Sequence, residues 1–193
     1  MLRTVLYTCI FVVLYVFLRT AVDVVLINKA VILSKNYTVF AGIGLYTWGA
    51  ILNCIDILVV FGLLSIGLYM MGVKIQTVEL LRLCVLSSFV FLLHFVLKML
   101  WFGFIDKNYT PDSLQQFYPF SLYRLLGGSV EAIETPLKML NIFELTFWAL
   151  LIVGIRKIYN WTWQKSIEIV LYSYISPLFF WWVLSSFIIL SIS

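Results

Sequence analysis

Between Asn36 and Val73 the chain carries a single charged side chain, Asp56, in 38 positions. Such a stretch has no polar face to turn towards water. As one helix it would reach about 57 Å, against a bilayer core of about 30 Å. A break is therefore expected, and two readings are open. One is a loop over Asn36–Trp48, where Gly42, Gly44 and Gly49 weaken helix. The other is a hairpin at Asn53–Asp56, which would give two short spans. Glycine and aromatic residues cluster in the first stretch, which favours the loop.

The rest of the chain has the same character. Its 193 residues are 63% hydrophobic and 11% charged, where soluble domains are about a quarter charged. Neither an ordinary water-soluble fold nor a disordered chain has this composition. The net charge of +4 comes from 13 basic and 9 acidic residues scattered along the sequence. Nucleic-acid binding calls for a clustered basic face, and there is none. Cys9, Cys54 and Cys84 each sit inside an apolar run without CxxC spacing, so they read as small hydrophobes.

Charge-free stretches at 4–18, 57–73, 83–97, 145–155 and 169–193 set the span count. The expectation is an all-α fold: one integral membrane domain over residues 1–193, a polytopic transmembrane helical bundle. About five spans are expected, at 4–32, 49–73, 79–104, 139–157 and 166–192. A long external loop, 105–138, joins spans three and four. The first span reaches sufficient length only by continuing through Asp23 towards Ile32. Arg3 followed by Val5–Leu18 resembles a signal peptide, yet no A-x-A-like site follows, and a retained span is the simpler reading.

Orientation rests on the short turn between Arg156 and Lys165, which holds three basic residues and no acid. It places the N-terminus, the 74–78 loop and the 157–165 loop in the cytoplasm and the C-terminus outside. The long loop carries the aromatic run Phe117-Tyr118-Pro119-Phe120, suited to the headgroup plane or to a re-entrant element. Trp161 and Trp163 flank the basic turn, where indoles favour the interface.

Chemistry-bearing residues are few. His94 is the single histidine, so a histidine metal cluster is excluded, and no metal site, cofactor or catalytic set is expected. His94 and Lys98 share a helix face; the simpler reading has His94 bonded to a neighbouring helix and Lys98 snorkelling outward. Asn53 and Asp56 share a face of the second span, with Arg82 and Lys98 as the expected partners of Asp56. Asn141 is a plausible N-cap for the fourth span, and Glu144 in its first turn suits the helix dipole. Phosphate-loop and nucleophile-elbow motifs are absent. Gly62, Gly67 and Gly72 recur every five residues and so do not line one face. Pro177 inside the last span predicts a kink.

From about residue 70 onward the sequence resembles the Yip family of Rab-interacting, five-span membrane proteins, in its bacterial branch. The likeness lies in Lys74-Ile75-Gln76-Thr77-Val78, Ser87-Ser88 and Pro119-Phe120-Ser121-Leu122. It continues in Asn141-Ile142-Phe143-Glu144-Leu145, Gly154-Ile155 and Trp163-Gln164-Lys165-Ser166-Ile167. The long hydrophilic N-terminal segment and the Asp-Leu-Tyr-Gly-Pro type motif of eukaryotic members are missing, so GTPase binding does not carry over. The resemblance implies a five-span, N-in, non-enzymatic protein that assembles with other membrane proteins in the lipid bilayer. A subunit or scaffold of a complex in a bacterial inner membrane is the first expectation. The alternative is a small transporter or lipid-handling channel with a polar path through Asp56, His94 and Lys98.

Overall fold

The computed structural model describes residues 2–22, 39–106, 113, 117–125, 137, 138 and 140–192. Five rods dominate: α1 (Leu2–Val22), α2 (Val39–Met70), α3 (Thr77–Ile105), α4 (Ile142–Tyr159) and α5 (163–192). No strand occurs among the described residues, where an isolated bridge pairs Ser121 with Asn141. Three helical stretches are long and apolar enough to cross a membrane: Ile51–Met70, Thr77–Ile105 and Trp163–Ile188. The protein is thus an all-helical membrane bundle.

α2 differs most from expectation. It runs unbroken for 32 residues, so helix begins ten positions before the expected start at residue 49. The loop expected over Asn36–Trp48 is helical from Val39 onward, and the Asn53–Asp56 hairpin does not form. A glycine in a helix costs about 1 kcal/mol, whereas a proline costs about 3 and removes a backbone donor. Three glycines therefore do not break a helix that contains no proline. Residues 23–38, including the expected continuation of the first span through Asp23 to Ile32, lie outside the described residues.

α2 ends where glycine permits it. Gly72 takes φ 68°, its N–H donates to Tyr69 O at 2.9 Å, and Val73 N–H donates to Leu68 O at 3.1 Å. These are the paired bonds of a Schellman turn, which favours a residue without a Cβ at the left-handed position. Asn160 closes α4 in the same manner with φ 53°, and Trp161 N–H donates back to Arg156 O at 3.2 Å.

α3 and α5 each carry irregular turns inside a continuous rod. In α3, Phe89–Phe91 is a 3-10 turn and Trp101–Ile105 a π turn. In α5, helix Trp163–Val170 passes through a π turn, Leu171–Ile175, into helix Ser176–Ile192. Pro177, expected to kink this rod, stands just beyond the π turn. Its ring removes the N–H that would reach back to Ser173. Ser176 Oγ donates to Leu171 O, five residues back, at 2.9 Å, serving an acceptor in the widened turn.

Side-chain pairs fix the directions of the rods. Tyr7, Phe11 and Tyr15 of α1 meet Arg82, Phe89 and Phe95 of α3 in ascending order, so the two run parallel. Phe147 near the start of α4 meets Phe91, while Gly154 near its end meets Leu83, so α4 opposes α3. The core at these crossings includes Leu64, Leu68, Leu80, Cys84, Leu151, Ile155 and Val170, all shielded from the outside. Exposed Phe180, Trp181, Val183 and Phe187 on α5 leave that rod apolar on its outer face as well. That is what a lipid solvent requires.

Of the long 105–138 connection, the described part folds back on the bundle. Phe117 is buried against Phe102, with centroids 4.9 Å apart, and Leu122 N–H donates to Leu140 O at 2.9 Å. The Gly127-Gly128 pair and the acids Asp112, Glu131 and Glu134 lie outside the described residues.

Candidate functional site

The candidate site grows from the first turn of α4. Asn141 has extended backbone, and its Oδ1 accepts from Phe143 N at 2.9 Å and Glu144 N at 3.0 Å. This is the expected cap, and it fixes the rotation at which α4 begins. Glu144 therefore points inward with Trp148, four residues on and on the same face. Trp148 Nε1 donates to Glu144 Oε1 at 2.8 Å. Tyr174 Oη, from the π turn of α5, donates to the same oxygen at 3.1 Å.

Packing holds that arrangement in place. The Phe147 ring stands edge-on to Tyr174, with centroids 5.7 Å apart, and Trp148 leans on Phe179 at 6.3 Å. Next to Tyr174, Ser173 donates to Ile169 O and faces Gly67 of α2 so closely that a Cβ on that glycine would collide with Ser173. Asp56 and Cys84 lie within electrostatic reach of the Tyr174 hydroxyl. The cluster thus links α2, α3, α4 and α5.

The other residues singled out by sequence are placed as follows. Arg82 does not turn to Asp56. Its guanidinium lies over the Tyr7 ring, 5.2 Å from the centroid, and Nη2 donates to Tyr7 Oη at 3.5 Å. Asp56 is on the exposed side of α2, and no ion pair joins it to Arg82 or Lys98 among the described residues. Asn53 and Lys98 are half-buried and each has a partner. His94 sits among aromatic rings, 5.8 Å from both Phe95 and Phe143 and 6.4 Å from Phe117. Lys98 stays near enough to act on it electrostatically.

Depth brings three of these groups together. Counted from the Gly72/Asn160 end at 1.5 Å per residue, Asp56, Glu144 and His94 all stand about 21–26 Å along their helices. They form one polar layer, but not one path. Asp56 is exposed on α2, Glu144 is held by Trp148 and Tyr174, and His94 is walled by aromatic rings.

Chemically, the Glu144 cluster is a clamp. One carboxyl oxygen accepts two hydrogen bonds from donors on two helices. No group of three or more His, Cys, Asp or Glu suited to a metal occurs among the described residues. Sequence reasoning had Asn141 and Glu144 but missed Trp148 and Tyr174. The i, i+4 spacing could have found Trp148; nothing local announces Tyr174. Compared with known families, curated proteins and solved structures, the chain matches none.

Proposed function

We propose that this chain is a non-catalytic polytopic protein of a bacterial inner membrane, a subunit or scaffold that assembles with other membrane proteins. The observation that carries this reading is the double donation to Glu144 Oε1 from Trp148 and Tyr174. Coupled transport needs a buried ionisable group that changes charge and faces each side in turn. Here the carboxylate is spent on fastening α4 to α5, and His94 is enclosed by rings. The resemblance to the Yip family, read from sequence, points to the same class.

The proposed topology has five spans. α1 and α4 add to the three long apolar rods, because each lies alongside α3 with directions that alternate correctly. The Arg156–Lys165 turn, basic and short, assigns its end to the cytoplasm and with it the N-terminus.

The test uses a strain lacking the protein and asks whether variants restore its phenotype. Asp56→Asn, His94→Gln and Glu144→Gln are combined, and membrane abundance is checked first. Restoration is the expected result. Loss of function at normal abundance, with partners still co-purifying, would replace the scaffold with a transporter.

A further inference from the structure

We infer that the end of the bundle formed by the Gly72–Gln76 and Asn160–Thr162 turns is a headgroup site for an anionic phospholipid. This needs the bundle to sit in a bilayer, and does not depend on the scaffold reading.

The two turns are one structural unit. Gln76 N–H donates to Tyr159 Oη at 3.1 Å, and the Tyr159 ring packs at a tilt against Trp161 with centroids 5.1 Å apart. Two cations are held on indole faces there: Arg156 lies 4.3 Å from the Trp163 centroid and Lys165 Nζ 4.4 Å from the Trp161 centroid. Indole rings favour headgroup depth, so both cations are fixed at the level of lipid phosphates. Lys74 and Lys157 are exposed beside them. None of the four forms an ion pair among the described residues. Of the acids at this end, Glu168 accepts from Gln164 Nε2 at 3.2 Å and Glu79 stands in the first turn of α3. Four cations against two acids leave this end net positive, and no ion pair ties those cations to the protein among the described residues.

The shape of the surface selects the kind of anion. An open hollow of about 400 Å³ is lined here by Tyr69, Gly72, Val73, Lys74 and Ile75. Nothing lies within 4 Å of where a Cβ on Gly72 would be, so the hollow is open at this position. A free phosphate would engage the cations alone. A diacyl phospholipid engages both parts, its phosphate at the cations and its glycerol and upper acyl carbons in the apolar hollow. Pre-oriented cations also reduce the ordering cost of binding.

The test uses purified full-length protein in mild detergent, titrated with phosphatidylglycerol, phosphatidylcholine or inorganic phosphate at matched concentrations. Phosphatidylglycerol is expected to raise the melting temperature and to remain bound in native mass spectrometry; the other two are not. Removing a cation from an anionic lipid interface costs about fivefold in affinity. Arg156→Gln combined with Lys165→Gln should thus weaken the phosphatidylglycerol response more than tenfold. Lys74→Gln alone, at an exposed position, should weaken it by about fivefold, which keeps the test decisive if the double variant is poorly folded. Lys138→Gln removes a cation held between Tyr118 and Tyr123 at the opposite end, and should leave the response unchanged. Equal stabilisation by phosphatidylcholine or by inorganic phosphate overturns the proposal. So does an unchanged response in Lys74→Gln, or an equal loss in Lys138→Gln.

Discussion

Glu144 and Tyr174, thirty residues apart in sequence, share a hydrogen bond of 3.1 Å between α4 and α5. The π turn Leu171–Ile175 carries the tyrosine at the position from which its hydroxyl meets the carboxylate. Tyr174→Phe removes only the oxygen and leaves the ring against Phe147. It should lower stability in detergent, and Glu144→Gln combined with it should show coupling. Measured couplings between polar groups in membrane bundles average about 0.6 kcal/mol and reach about 1.7. A double-mutant cycle from reversible unfolding would read the pair directly, and a coupling of zero would show the contact to be incidental.

Gly67 and Gly62 lie on one helix yet should respond in opposite ways. A Cβ at Gly67 collides with Ser173 and crowds Ile169, whereas nothing lies within 4 Å of one at Gly62. Gly67→Ala should therefore cost about 1–3 kcal/mol, the usual range for overpacking. Gly62→Ala should be neutral or stabilising, since alanine is the better helix former. Thermal unfolding of the two variants side by side decides it.

Asp56 and Lys98 should behave as independent sites. No ion pair joins them, and Asp56 faces outward from α2. Asp56→Asn and Lys98→Met should then add in a stability cycle to within about 0.5 kcal/mol. A clear rescue of one by the other would restore the pairing expected from sequence.

The two turns joined by Gln76 and Tyr159 must be on one face of the membrane. In a cysteine-free background, Lys74→Cys and Asn160→Cys should react with an impermeant thiol reagent from the same side. Phe120→Cys, in the loop at the far end of α4, should react from the other. Labelling of intact cells against inverted vesicles supplies the readout, and a split between positions 74 and 160 would break the bundle as described.

What sequence reveals here depends on how local the physics is. Asn141 capping Glu144 was legible because the cap and the N–H groups it serves are two and three residues apart. The extent of α3 was legible to within two residues, the expected span 79–104 lying inside the observed helix Thr77–Ile105. The Tyr174 contact was not, because it depends on how two helices rotate against each other and on a π turn between them. Nor was the continuity of α2 over Val39–Trp48. Each glycine costs a helix only about 1 kcal/mol, and context routinely overrides a propensity of that size. Arg82 shows the same limit in another form: opposite charge suggested Asp56, whereas the parallel packing of α1 and α3 put Tyr7 in reach first.

At 32 residues α2 is about 48 Å long, and no ordinary bilayer contains it. Burying the whole rod in a hydrocarbon layer of about 30 Å would take a tilt near 50°, whereas spanning helices tilt by roughly 0–40°. With Gly72 anchoring one end at the interface, at least a turn of α2 at the Val39 end stands clear of the hydrocarbon, and about three turns do if the rod is upright. The height of that protruding end is set by tilt, and tilt by the packing of α2 against its neighbouring helices. The surplus length is therefore carried outside the hydrocarbon at the Val39 end, on the membrane face opposite the Gly72 turn.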